Sequence, residues 1–221
     1  MPYRKVVFAK EETYHVFNQG ITQQIFFRKR DYLRFLLLID FYRFPPKLSF
    51  SHWYRLEAGK KEKFLSELKK NVPPLVEVLA FCLMPNHFHF LLKQLRSEGI
   101  SKMIGNLQNS YARYFNLKNE RVGPLFQPMF KAVRIQTEEQ LIHVSRYIHL
   151  NPSSSFLVKI KNLGKYPWSS LQEYLGKRRL DFVKTELITS FFKDIKDYKK
   201  FVFDQAEYQR ELQKIKQLIL E

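Results

Sequence analysis

Along "TYHVFNQ", residues 13–19, apolar and polar positions alternate, with Tyr14 and Val16 on one face and His15 and Phe17 on the other, which predicts a first strand. The period then changes. In "RKRDYLRFLLLIDFYRF", residues 28–44, Phe35, Leu36, Leu38 and Ile39 stand close to helical spacing, and Pro45-Pro46 stops the segment. Residues 43–60, with Pro45, Pro46, Ser49, Ser51 and Gly59, read as a loop or small insertion, and "KKEKFLSELKKNVPP" after it as a short amphipathic helix. "LVEVLAFCLM", residues 75–84, reads as a buried strand; Pro85-Asn86 interrupts it, and "HFHFLLK" continues as its hairpin partner.

The spacing of Ile100, Ile104, Leu107, Tyr111, Tyr114 and Phe115 predicts a helix over 100–116, and "RVGPLFQPMFKAVRI" a turn at Gly123-Pro124 followed by an extended segment. "TEEQLIHVSRYIHLNP", residues 137–152, has Thr137 with Gln140 three positions later as a capping signal, and Pro152 is expected just beyond the helix end, with Asn151 pushed out of helical geometry. A loop-rich aromatic stretch, 153–176, precedes a charged helical region from 180 to 221. This order predicts an α+β fold: a ferredoxin-like antiparallel sheet covered by helices on one face, with extra C-terminal helices. The expected division is a main α+β domain over 1–155, with an insertion at about 43–75, and a helical extension over 156–221 packed on it.

Charge changes the picture more than length does. Against 38 Lys and Arg there are 21 Asp and Glu, a formal charge of +17, which points to a polyanionic partner. No run of some eighteen apolar residues could cross a bilayer, and no Lys/Arg cluster adjoins a long apolar span, so nucleic acid is expected rather than a membrane. The first residues lack the apolar stretch and cleavage site of a signal peptide, which makes the cytoplasm the expected location. Cys82 is the only cysteine, so an internal disulfide and a cysteine-rich zinc site are both excluded.

Two residues apart on a strand, His87 and His89 share a face while Phe88 and Phe90 take the other. Imidazoles on a common face suit one divalent ion, although two ligands leave it unidentified; two half-exposed strand histidines are the plainer alternative. On the helix from 138 to 150, four-residue spacing groups His143, Tyr147 and Asn151, beside an apolar stripe of Leu141, Val144 and Ile148. A tyrosine at the edge of such a stripe can be a nucleophile or an aromatic anchor.

Five segments in order, "YHVFNQG" (14–20), "MPNHFHFLL" (84–92), "GPLFQPMFKAV" (123–133), "YIHLNP" (147–152) and "YPWSSLQEYLG" (166–176), resemble the REP-associated tyrosine transposases, relatives of the bacterial single-strand insertion-sequence transposases within the single-tyrosine HUH endonucleases. The resemblance implies that His87 and His89 are the metal-binding pair, Asn151 completes the metal site, Tyr147 is the nucleophile and the ion is Mg²⁺ or Mn²⁺. It implies a DNA transposase that cleaves and rejoins hairpin-containing single-stranded DNA through a 5′-phosphotyrosine link, as a monomer with a dimer as the alternative. Tyr111 and Tyr114 are rival tyrosines on a predicted helix. Lys93, Arg121, Lys131 and Arg134 are expected along a DNA groove, and Trp168 is expected in packing rather than base stacking. The chain departs from the family at Gln19 and Met129, where arginine is frequent, and each change takes away a group that could hold a phosphate. A nucleic-acid-binding module without chemistry and a hydrolytic nuclease that uses metal-activated water are the alternative functions.

Overall fold

The computed structural model describes residues 6–21 and 24–206. Strand β1 (Thr13–Gln19) is followed by helices α1 (Lys29–Tyr42), α2 (Phe50–Arg55) and α3 (Ala58–Asn71), the hairpin β2 (Val76–Met84) and β3 (His87–Gln94), then α4 (Gly99–Lys118), β4 (Lys131–Arg134) and α5 (Glu138–Ser154). A 3-10 turn (Ile160–Lys165) and helices α6 (Leu171–Tyr174), α7 (Glu186–Thr189) and α8 (Ile195–Phe203) follow. The four strands form one antiparallel sheet in the order β2-β3-β1-β4. With helices between β1 and β2 and between β3 and β4, this is the β-α-β-β-α-β arrangement of a ferredoxin-like fold, as the element order predicts.

The described residues cluster into two compact units that both draw on the β2-β3 hairpin: those up to 77 with 85–87 and 92–134 in one, and 78–84, 88–91 and those from 135 on in the other. In the first, β1 alternates as expected, burying Tyr14 and Val16, and pairs with β4 in the register Tyr14 to Arg134 and Phe17 to Lys131. Helix α1 buries Phe35, Leu38 and Ile39, and α4 buries Ile104, Leu107 and Tyr111. Gly99 opens α4 so close to Leu75 that a Cβ would lie 2.4 Å from the Leu75 carbonyl oxygen. The expected loop at 43–60 contains α2, because Ser49 caps the His52 N–H and Phe50 and Trp53 bury their rings.

In the second unit, the outer edge of β2 is paired by C-terminal backbone. Leu83 N–H donates to Trp168 O, Ser170 N–H to Phe81 O and Lys184 N–H to Val78 O. These bonds occupy an edge that would otherwise template aggregation. Helix α5 begins at the Thr137 cap, whose hydroxyl accepts from Gln140 N–H, but it runs through Pro152 to Ser154 instead of ending before it. The expectation for Asn151 is therefore corrected. Pro152 lacks an N–H, and the Ser154 and Ser155 hydroxyls donate to the Leu150 and Asn151 carbonyls in the same turn, so the last turn holds its helical course. From 180 onward α7 and α8 are short helices linked by turns, and residues 207–221 of the expected helical region lie outside the described residues.

Candidate active site

The β3 pleat puts His87 and His89 on one face of the strand, while Phe88 and Phe90 are fully buried. His87 Nδ1 lies 2.6 Å from Asn86 Oδ1. An amide oxygen only accepts, so Nδ1 carries the proton and Nε2 the lone pair, the tautomer a metal ligand needs. His89 is buried, and its ring meets the ring of Tyr147 edge-on at 5.6 Å and 87°. Tyr147 itself is 41% exposed, and one turn further along α5 the Asn151 amide donates to the Tyr147 carbonyl at 3.2 Å, leaving its Oδ1 as an acceptor. The structure thus brings three of the four sequence-predicted site residues, His89, Tyr147 and Asn151, together in one unit.

The rival tyrosines are accounted for by packing. Tyr111 is wholly buried and donates to Ile25 O at 2.6 Å, with burial pushing its phenol upward. Tyr114 donates to Asp31 Oδ1, and burial followed by that bond pushes it up to about 12. Both phenols resist forming the anion that a nucleophile needs.

A sequence reading passes over what holds Tyr147 in place. His149, two residues on, points into the second core with no exposure: Nδ1 is 2.7 Å from the Tyr198 hydroxyl and Nε2 is 2.8 Å from Ser170 Oγ. Ser170 Oγ already donates to Phe81 O and accepts from Phe81 N–H, so Nε2–H donates to it and Nδ1 accepts from Tyr198. Burial lowers this imidazole to about 3, so it stays neutral. The only signal in sequence was its place inside "YIHLNP", on the face of α5 away from Tyr147.

The sequence comparison with protein families matches residues 58–151 to the model described as "Transposase IS200 like". This stretch is similar to the IS200-like transposases. A comparison of folds finds the structure of the REP-associated tyrosine transposase bound to a REP hairpin, with a TM-score of 0.56 and 15% identity over 83% of this chain and 98% of that one. No curated protein matches by sequence.

The matched segment contains His87, His89, Tyr147 and Asn151, together with all four expected groove cations. Two of those cations are committed to carboxylates. Lys93 pairs with Glu11 at 2.9 Å, and Arg134 forks onto both oxygens of Glu12 at 3.1 and 2.5 Å. Arg121 braces its own loop through Asn116 Oδ1 and Pro124 O, whereas Lys131 stands exposed on β4. His143 accepts from Arg146 at 2.6 Å and packs its ring on Phe201, which ties it to α8 instead of to Tyr147. Trp168 is half-buried and contributes its carbonyl to the β2 edge. Among the described residues no group of three or more His, Cys, Asp or Glu is placed to hold a metal ion. His87 and His89 offer imidazole nitrogens and Asn151 an amide oxygen, fewer protein donors than the four of a closed structural zinc site. No described helix is long and apolar enough to cross a membrane.

Proposed function

We propose that this IS200-like protein cleaves and rejoins hairpin-containing single-stranded DNA with Tyr147 as nucleophile, His87, His89 and Asn151 holding Mg²⁺ or Mn²⁺. The observation that carries the reading is the edge-on contact of the exposed Tyr147 with His89, one helical turn from Asn151. When bound, the ion supplies charge stabilisation at a phosphoryl oxygen. The residues do the rest. Tyr147 Oη attacks phosphorus, the P–O3′ bond breaks, and the 3′-oxygen leaves as a hydroxyl after taking a proton; the 5′ end remains esterified to the phenol. Reversal by a DNA 3′-hydroxyl restores a phosphodiester and the free tyrosine, so no external energy source is required. The half-exposed phenol admits a strand, while His149 on the opposite face of α5 anchors the helix that presents it.

The reading is tested by a denaturing-gel assay for a covalent protein–DNA adduct, using hairpin oligonucleotides drawn from DNA flanking the gene. The expected outcome is an adduct with Mn²⁺ or Mg²⁺ that disappears with chelator and with Tyr147→Phe, while hairpin binding by the variant stays within about threefold. Cleavage that survives Tyr147→Phe would instead assign the reaction to metal-activated water, and hairpin binding with no adduct would leave only a binding module.

A further inference from the structure

Helices α1, α2 and α4 of the first unit enclose two adjoining cavities of about 370 and 470 Å³, which share Ser51, Ser110, Arg113 and Leu117. Arg30, Arg34, Arg55, Arg113 and Lys118 line them, and no carboxylate does. Asp31 lies behind this wall, but it is saturated by Lys118, Tyr114 and the backbone N–H groups of Phe27 and Arg28. Among the described residues, no carboxylate pairs with Arg30, Arg34 or Arg113.

Arg34 is the centre of this arrangement. Its guanidinium sits over three rings, 4.5 Å from Phe50, 4.3 Å from Tyr54 and 5.0 Å from Tyr114, and its Nε is buried without a hydrogen-bond partner. Cation–π contacts and a hydrogen bond with Tyr54 offset part of the cost of desolvating the charge, and a bound anion would offset more of it. None of the described residues supplies one. Hydroxyls of Ser51 and Ser110 and the amides of Asn106 and Asn109 add neutral partners, the mixture of arginine and small polar side chains that grips phosphate oxygens.

We propose that this groove binds the phosphodiester backbone of a nucleic-acid strand, as a contact built from none of the residues assigned to the Tyr147 chemistry. Its length across two cavities and its openness on the exposed faces of Arg30 and Arg113 fit a chain of phosphates rather than one small anion. Helix α2 with its Ser49 cap adds Ser49, Ser51 and Arg55 to a lining whose other cations stand on α1 and α4. The proposal rests on the reading of the protein as one that acts on DNA, but not on the tyrosine mechanism.

The test is fluorescence anisotropy of a labelled hairpin oligonucleotide with duplex and single-stranded flanks, measured across salt concentrations. It compares the full chain with Arg30→Gln/Arg113→Gln and with Lys60→Gln/Lys63→Gln, an equal charge loss on α3. The groove variant is expected to bind about 10- to 100-fold more weakly at ~100 mM salt and to lower the log–log salt slope by about two, one for each phosphate that is no longer neutralised. The α3 variant should keep the wild-type slope. Equal behaviour of the two variants, or no oligonucleotide binding by the wild type at low salt, overturns the groove. Tyr147-dependent adduct formation is scored in the same samples: an adduct with an unchanged slope removes the groove alone, and a lowered slope without any adduct removes the tyrosine mechanism alone.

Discussion

At the scale of single residues, the buried polar groups decide how the protein responds to pH. His149 keeps its imidazole neutral because burial lowers it to about 3, whereas in the unfolded chain it titrates near ~6.5. Its contribution to stability is therefore complete above about pH 6.5 and is lost as the pH falls toward 3, at roughly 1.4 kcal/mol per pH unit. His15, lowered to about 4 by burial, loses stability in the same direction over a narrower window. His149→Phe is expected to flatten the urea-derived stability profile between pH 6.5 and 4 and to lower stability at pH 7 by roughly 2–3 kcal/mol, since Tyr198 and Ser170 lose a partner. Asp31 behaves differently. Burial opposes its charge, but hydrogen bonds from Lys118, Arg28, Tyr114 and Phe27 outweigh that and hold it below the usual carboxylate range. Its stabilisation is present above about pH 4 and goes as the pH drops through the lowered value. Asp31→Asn should cost roughly 2–3 kcal/mol at pH 7 and remove that acid limb, as thermal unfolding at pH 7 and 3.5 will show.

Among elements, the boundaries depend on local rescue. The capping residues of α5 were legible because Thr137 and Gln140 stand at the required spacing, but its end was not. Pro152 signals a stop by its own chemistry, and only the hydroxyls in the following turn show why the helix continues. The start of α4 is governed by approach rather than propensity: Gly99→Ala would press a methyl against the Leu75 carbonyl. This substitution is expected to lower stability by roughly 1–3 kcal/mol, although alanine is the better helix former, and the loss is measurable as a shifted urea midpoint without a changed slope. Helix α2 escaped the sequence pattern because six residues are too few to display a period, and its reason for folding lies in the cage of rings around Trp53 and Phe50.

At the scale of the molecule, the charge of +17 and the order of elements were both plain in the sequence, and the strand order β2-β3-β1-β4 agrees with the ferredoxin-like expectation. His87 and His89 could be placed on a common face from spacing alone, because a strand's two-residue period is set by its backbone. The contact between His89 and Tyr147 could not, since they lie far apart along the chain and only packing brings the rings to 5.6 Å. The same holds for the cations. As sequence, Lys93 and Arg134 were as good candidates for DNA as Arg30 and Arg113; the fold gave the first two to Glu11 and Glu12 and left the others without a carboxylate among the described residues. Composition and periodicity thus determined the sign of the chain's own charge, the class of fold and the face of the histidines, which are local or additive properties. Tertiary structure alone decided which tyrosine is exposed beside a histidine and which arginines have no carboxylate among the described residues, because burial and pairing depend on neighbours that the chain order does not name.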